Sequence, residues 1–123
     1  MTILTRHSND SGYIISAYKQ GALHLGEEVY TSPILVRAGE LAENWTTKAL
    51  TELTTEDFAL ALEWQPEILL FGSGPSLQFP DFSIIRDLRE HKLSLEVMDT
   101  SAASRTFNVL RSEGRNVVAA LLV

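Results

Sequence analysis

Apolar and polar positions along this chain change period near its middle. In the first fifty residues, short apolar runs alternate with glycine turns. Tyr13-Ile14-Ile15-Ser16-Ala17-Tyr18 is β-branched and aromatic and ends at Lys19-Gln20-Gly21; Leu23-His24-Leu25 follows, then Val29-Tyr30-Thr31-Ser32 after Gly26. Such runs, punctuated by Gly12, Gly21, Gly26 and Gly39, predict antiparallel hairpins. Ile34-Leu35-Val36 extends the last run across Pro33. Proline has no N–H to give to a ladder, so an edge or a bulge is expected there. A further short strand is predicted over Asn44-Trp45-Thr46.

From Leu53 the pattern becomes helical. Thr54 can cap, Glu56 and Asp57 favour a first turn, and Leu53 can staple to Phe58, which predicts a helix running to about Trp64 and stopping before Pro66. Glu67-Ile68-Leu69-Leu70-Phe71 reads as a buried central strand. After the Gly72–Pro80 loop, Asp81 begins a second helix with Phe82, Ile85 and Leu88 on its buried side. Leu93–Met98 alternates as a strand, Thr100–Glu113 is a third helix, and Asn116–Val123 is a final strand. A helix followed by β–α–β–α–β places the chain in the α/β class with α+β character: a mixed sheet with helices packed on it. There is no repeat, low-complexity tract or linker, so residues 1–123 are expected to form one domain.

Composition narrows the function. Hydrophobic residues make up 45% and charged ones 21%, typical of a soluble globular protein, and no apolar run reaches the length of a transmembrane segment. Met1-Thr2-Ile3-Leu4-Thr5-Arg6-His7 resembles neither a signal peptide nor a presequence, so a cytoplasmic location is expected. The chain has no cysteine, which excludes disulfides and thiolate chemistry. A net charge of −6 argues against nucleic-acid binding, which needs phosphate-neutralising Lys and Arg. Five of the seven arginines (Arg86, Arg89, Arg105, Arg111, Arg115) nevertheless lie in the last third.

The candidate chemistry gathers at two strand ends. Gly72-Ser73-Gly74-Pro75 follows a strand, as a phosphate-binding turn would, but no helix opens on it and no third glycine or Gly-Lys-Ser/Thr motif follows. The glycines either let the backbone turn sharply or also cradle a ligand. Asp99 and Thr100 either cap the third helix, or Thr100, Ser101 and the helix N-terminus bind an anion while Asp99 orients a polar group. If the two strands are parallel neighbours, Gly72–Gly74 and Asp99–Ser101 line one crevice. Arg105 and Asn108 form an i,i+3 pair that faces solvent, ties down a loop, or serves a pocket or partner. Gly114 caps the third helix, and Arg115 satisfies helix-end carbonyls, pairs with an acid, or clamps an anion. His7, His24 and His91 show no metal-ligand spacing, so no metal or other cofactor is assigned. Ser73 is an exposed-loop serine without an evident base, a poor hydrolase nucleophile. Trp45 and Trp64 read as the edge of the core.

Taken together, Gly72-Ser73-Gly74 after an apolar strand, Asp99-Thr100 after a second, Ala102-Ala103, Arg105-Thr106, Asn108, Glu113-Gly114-Arg115 and Ala119-Ala120-Leu121-Leu122 resemble a known family. It contains the mitochondrial complex I (NADH:ubiquinone oxidoreductase) assembly factor 3 proteins and an adipogenesis-associated mammalian protein. Members often carry Gly-Thr-Gly in the loop and cysteine at the position of Ser104, so Ser73 and Ser104 depart mildly from the pattern. The resemblance, from Tyr13 to Leu122, implies a three-layer arrangement: a mixed sheet flanked by helices, with an N-terminal β-hairpin extension. It implies no established enzymatic activity.

The expectation is a non-catalytic module that binds an unidentified protein partner, assisting assembly of a respiratory or membrane complex. The alternative is a binder of an anionic small molecule, or a weak enzyme, using the crevice at the ends of the Glu67–Phe71 and Leu93–Met98 strands. Edge strands of the N-terminal hairpins could support a homodimer.

Overall fold

A computed structural model of the chain describes residues 12–19 and 21–123. Residues 1–11, with His7 and the run read above for a presequence, and Gln20 lie outside the described residues. Eight strands and three α-helices appear among those described: β1 (Ala17–Lys19), β2 (Ala22–Leu25), β3 (Glu28–Tyr30), β4 (Ile34–Arg37), β5 (Glu40–Glu43), α1 (Ala59–Glu63), β6 (Ile68–Gly72), α2 (Phe82–Glu90), β7 (Leu95–Met98), α3 (Thr100–Ser112) and β8 (Val117–Leu121). They make a three-stranded antiparallel sheet, β1-β2-β3, and a five-stranded mixed sheet ordered β5-β4-β8-β6-β7. In the larger sheet β6 is parallel to both β7 and β8, and β4 is antiparallel to β5 and β8.

Three layers follow from the period of two along its strands. Ile34, Val36, Leu70, Ala119 and Leu121 point to one face, against Ala103 and Phe107 of α3 and Leu23, Leu25 and Tyr30 of the small sheet. Leu35, Leu69, Phe71, Val118 and Ala120 point to the other, against Phe58, Ala61, Ile84 and Leu88. Burial on both faces is why these strands read as continuous apolar runs. The steps β6–β7 and β7–β8 run in opposite directions across the sheet. A single crossover hand then puts α2 and α3 on opposite faces.

Several expectations are corrected. The Tyr13–Tyr18 run is a strand only from Ala17: Ser16 N–H still reaches His24 O of β2 at 2.7 Å, but Tyr13 N–H donates to Ala38 O at 2.8 Å and Ile15 is held by a side chain of α3. Pro33 lies not at a bulge within one strand but between two strands of different sheets, where a missing N–H breaks no ladder. The strand placed at Asn44–Thr46 is instead Glu40–Glu43, paired across a two-residue turn at Ala38-Gly39; Asn44 has φ 58° and turns the chain out of the sheet. The helix from Leu53 begins as a 3-10 turn at Thr55–Phe58, capped at Thr54, and only Ala59–Glu63 is α-helical. Asp57 accepts the Thr54 N–H at 2.8 Å, which tightens that first turn. On α2, Ile84 and Leu88 are buried, whereas Phe82 lies off their stripe and is exposed.

Candidate functional site

β6 and β7 are parallel neighbours with Gly72 opposite Met98, so the ends Gly72–Gly74 and Asp99–Ser101 do meet. What joins them is hydrogen bonding. Ser73 N–H donates to Met98 O at 2.8 Å, and Thr100 N–H donates to Gly74 O at 2.9 Å. The Thr100 hydroxyl is fully buried; it accepts from Gly74 N–H at 2.8 Å and donates to Leu122 O at 2.6 Å. Leu122 N–H closes the circuit on Gly72 O at 2.9 Å. Three strand ends and a helix start are thus tied through one threonine.

Gly72 is required by this approach. A Cβ there would lie 2.7 Å from Leu121 Cδ2 and 2.8 Å from Thr100 Oγ1, closer than real contacts allow. Ser104 donates to Thr100 O at 2.8 Å and Asp99 accepts Ala102 N–H at 2.8 Å, so both serve the first turn of α3. Ser73 is not an exposed serine. It is 6% exposed, and its hydroxyl donates to Ser76 O at 2.7 Å and accepts Gln78 N–H at 3.0 Å, pinning the following loop.

The remaining candidates spread outward. Arg105 is exposed and donates to Ser101 Oγ one helical turn away, at 2.8 Å. Asn108 ties down a loop: its Oδ1 accepts Ile15 N–H at 2.9 Å and its Nδ2 donates to Ile15 O at 2.7 Å, the pattern of a strand neighbour. Arg115 lies at the opposite end of the sheet. It meets Glu67, which precedes β6, with Nη2 at 2.9 Å and Nε at 3.2 Å. Hydrogen bonding from Arg115, opposed by slight desolvation, holds the Glu67 carboxyl below its ordinary range. The structure therefore assembles Gly72, Ser73, Gly74, Asp99, Thr100 and Ser101 and leaves Arg115 away from them. Gly114, with φ 78°, caps α3 while Arg115 N–H donates to Leu110 O at 3.1 Å.

Two features escaped the sequence. The Tyr18 hydroxyl, in β1, is buried and has no hydrogen-bond partner among the described residues; burial first, and then the Asp99 carboxylate, pushes its pKa up. No periodicity announces such a meeting, because a different sheet brings Tyr18 to Asp99. Second, neither of two surface depressions is lined by the strand-end residues. One, of about 410 Å3, lies between Thr51–Glu56 and the start of α2; the other, of about 280 Å3, lies beside His91 and Lys92. Among the described residues no three His, Cys, Asp or Glu side chains gather as metal ligands, and no helix is long and apolar enough to cross a membrane.

Comparison with known proteins places this architecture. NADH dehydrogenase (ubiquinone) 1 alpha subcomplex assembly factor 3 from Bos taurus is 31% identical over 124 residues, covering 99% of this chain but 66% of its own length. The chain thus spans slightly less than two thirds of that relative. The solution structure of a Xanthomonas campestris protein superposes with a TM-score of 0.84 at 30% identity, covering 99% of this chain and 92% of its own. The crystal structure of an outer membrane protein from Bartonella henselae gives 0.79 at 31%, covering 93% and 97%. A family model described as a protein of unknown function (DUF498/DUF598) matches residues 15–122, nearly everything from the small sheet to the last strand, and the chain belongs to that family.

Proposed function

We propose that this chain is a one-domain, non-catalytic, cytoplasmic module that binds protein partners and assists assembly of a respiratory or membrane complex. The observation that carries this reading is alignment of 99% of the chain with a complex I assembly factor at 31% identity. The strand-end geometry supports its non-catalytic part. The Thr100 hydroxyl and the Gly74 N–H, groups that a ligand would use, are spent on each other, and one of the two cation candidates, Arg115, is engaged with Glu67.

A tagged full-length chain expressed in its native host, recovered at several salt concentrations, tests this. The expected result is a reproducible partner belonging to a membrane complex or its assembly intermediates. Recovery of chaperones and ribosomal proteins only would overturn the reading. Fractionation of the same cells should place the chain in the soluble fraction; retention in membranes stripped of that complex would overturn the cytoplasmic placement.

A further inference from the structure

We propose that the segment Leu77–Phe82 is the docking face for a partner protein, and that it takes a segment carrying apolar anchors flanked by lysine or arginine; this rests on the protein-binding reading and names the surface that performs it. Leu77, Phe79 and Phe82 are 56%, 62% and 62% exposed, within six residues of one another along the chain. Scattered apolar residues at a surface are ordinary; three large ones on one short segment beside the polar rim of Asp81 and Ser83 are what the proposal rests on.

The segment is built to present them. Ser73 staples the loop through Ser76 O and Gln78 N–H, Pro80 is buried beneath it, and Asp81 caps α2 by accepting Ser83 N–H at 2.9 Å. Internal bonds thus fix the backbone while the large side chains face outward. A loop already ordered loses little entropy when a partner binds.

Charge selects the occupant. Asp81 and Ser83, on either side of Phe82, line the 410 Å3 depression with Thr51, Thr54, Glu56 and Asp87; among the described residues no lysine or arginine enters that lining. Arg86 reaches Asp87 at 3.6 Å and also acts on Asp81, and the Thr55 hydroxyl donates to Asp87 at 2.7 Å, but one cation does not cancel three carboxylates, and the whole chain carries −6. Apolar anchors would settle on Phe79 and Phe82 while a cationic side chain enters the depression. An anionic lipid surface meets the wrong sign here.

The test uses the full chain and two short amphipathic peptides with identical Leu and Phe anchors, one flanked by Lys and Arg and the other by Asp and Glu. The basic peptide should shift backbone amides within residues 75–87 and bind at least about tenfold more tightly than the acidic one, less so in high salt. Joint Phe79→Ala and Phe82→Ala substitution should weaken it about tenfold or more, and Glu56→Lys should weaken it to a smaller degree. Both phenylalanines are exposed, so the variant should keep its melting temperature. Equal binding of the two peptides, shifts elsewhere, or binding indifferent to the double substitution would overturn the proposal. So would phenylalanine-dependent binding to phosphatidylglycerol vesicles, or self-association abolished by the double substitution. If a partner from the native host is retained by the double variant, this face is wrong and protein binding stands. If the unsubstituted chain recovers no partner, both fall.

Discussion

Between Gly72 and Phe82 the chain inverts the usual rule of burial within eleven residues. Its first part hides polar groups: Ser73 is 6% exposed with its hydroxyl on backbone partners, and the Gly74 N–H is satisfied by the buried Thr100 hydroxyl of α3. Its second part shows Leu77, Phe79 and Phe82 to solvent. The strand-end junction looks like a site in sequence because it is rich in glycine, hydroxyl and acid. In three dimensions those residue types are what four chain segments need to approach one another without orphaned N–H and C=O groups. The neighbouring loop looks bland in sequence, yet it exposes what folding alone gives no reason to expose. Polarity in this crevice is accounted for by packing, so it is not by itself a sign of function.

The contrast can be broken most sharply at Gly72. Gly72→Ala should cost about 3 kcal/mol in urea unfolding, because the added methyl meets the buried Leu121 side chain and Thr100, whose hydroxyl is held by two hydrogen bonds. A loss under about 0.5 kcal/mol would mean that the junction is looser than its contacts indicate. Thr100→Val should cost about 2 kcal/mol by stranding Gly74 N–H and Leu122 O, whereas Thr100→Ser, which keeps the hydroxyl, should cost about 1 kcal/mol. A smaller cost for Thr100→Val, which keeps the methyl, than for Thr100→Ser would show that the methyl, not the hydrogen-bond circuit, holds the strand ends. On the other side of the contrast, joint Phe79→Ala and Phe82→Ala substitution should change stability by no more than about 0.5 kcal/mol. A larger loss would make that loop part of the core and remove the contrast.

The smallest effect is expected at the far end of the sheet. Arg115 and Glu67 are exposed, so water screens their pairing and Arg115→Ala should barely move the melting curve at neutral pH. The folded-state pKa of Glu67 is depressed, so any contribution is present in full above pH 4.5, its ordinary value, and is lost as the pH falls through the lower value it holds in the fold. Acid titration of the two proteins checks this: their melting temperatures should converge at low pH. A difference that grew on acidification would contradict the pairing.

Much of the second half was legible because its signals are local. The buried strand before Gly72, the caps at Asp81 and Asp99, the stop at Gly114 and the parallel meeting of two strand ends follow from short-range pattern and crossover geometry. The first half was less legible. Ile15 looks like a strand residue, but its pairing partner is the side chain of Asn108, 93 positions away, and no period of two encodes that. The sequence places Phe82 with Ile85 and Leu88 on the buried side of α2; the orientation of the helix on the sheet, set by Ile84 and Leu88, turns Phe82 out.

By itself the sequence determined the class of fold, the order of its later elements, the helix ends and which residues would crowd the strand termini, because each depends on backbone stereochemistry and nearest neighbours. Only the tertiary structure decided what those residues do. Whether Thr100 faces a ligand or a carbonyl, whether Arg115 shares an end of the sheet with Gly72, and whether Phe82 is covered all depend on how separate elements stack. Stacking is set by the fit of many buried side chains at once, and that sum is not carried by any local stretch of the chain.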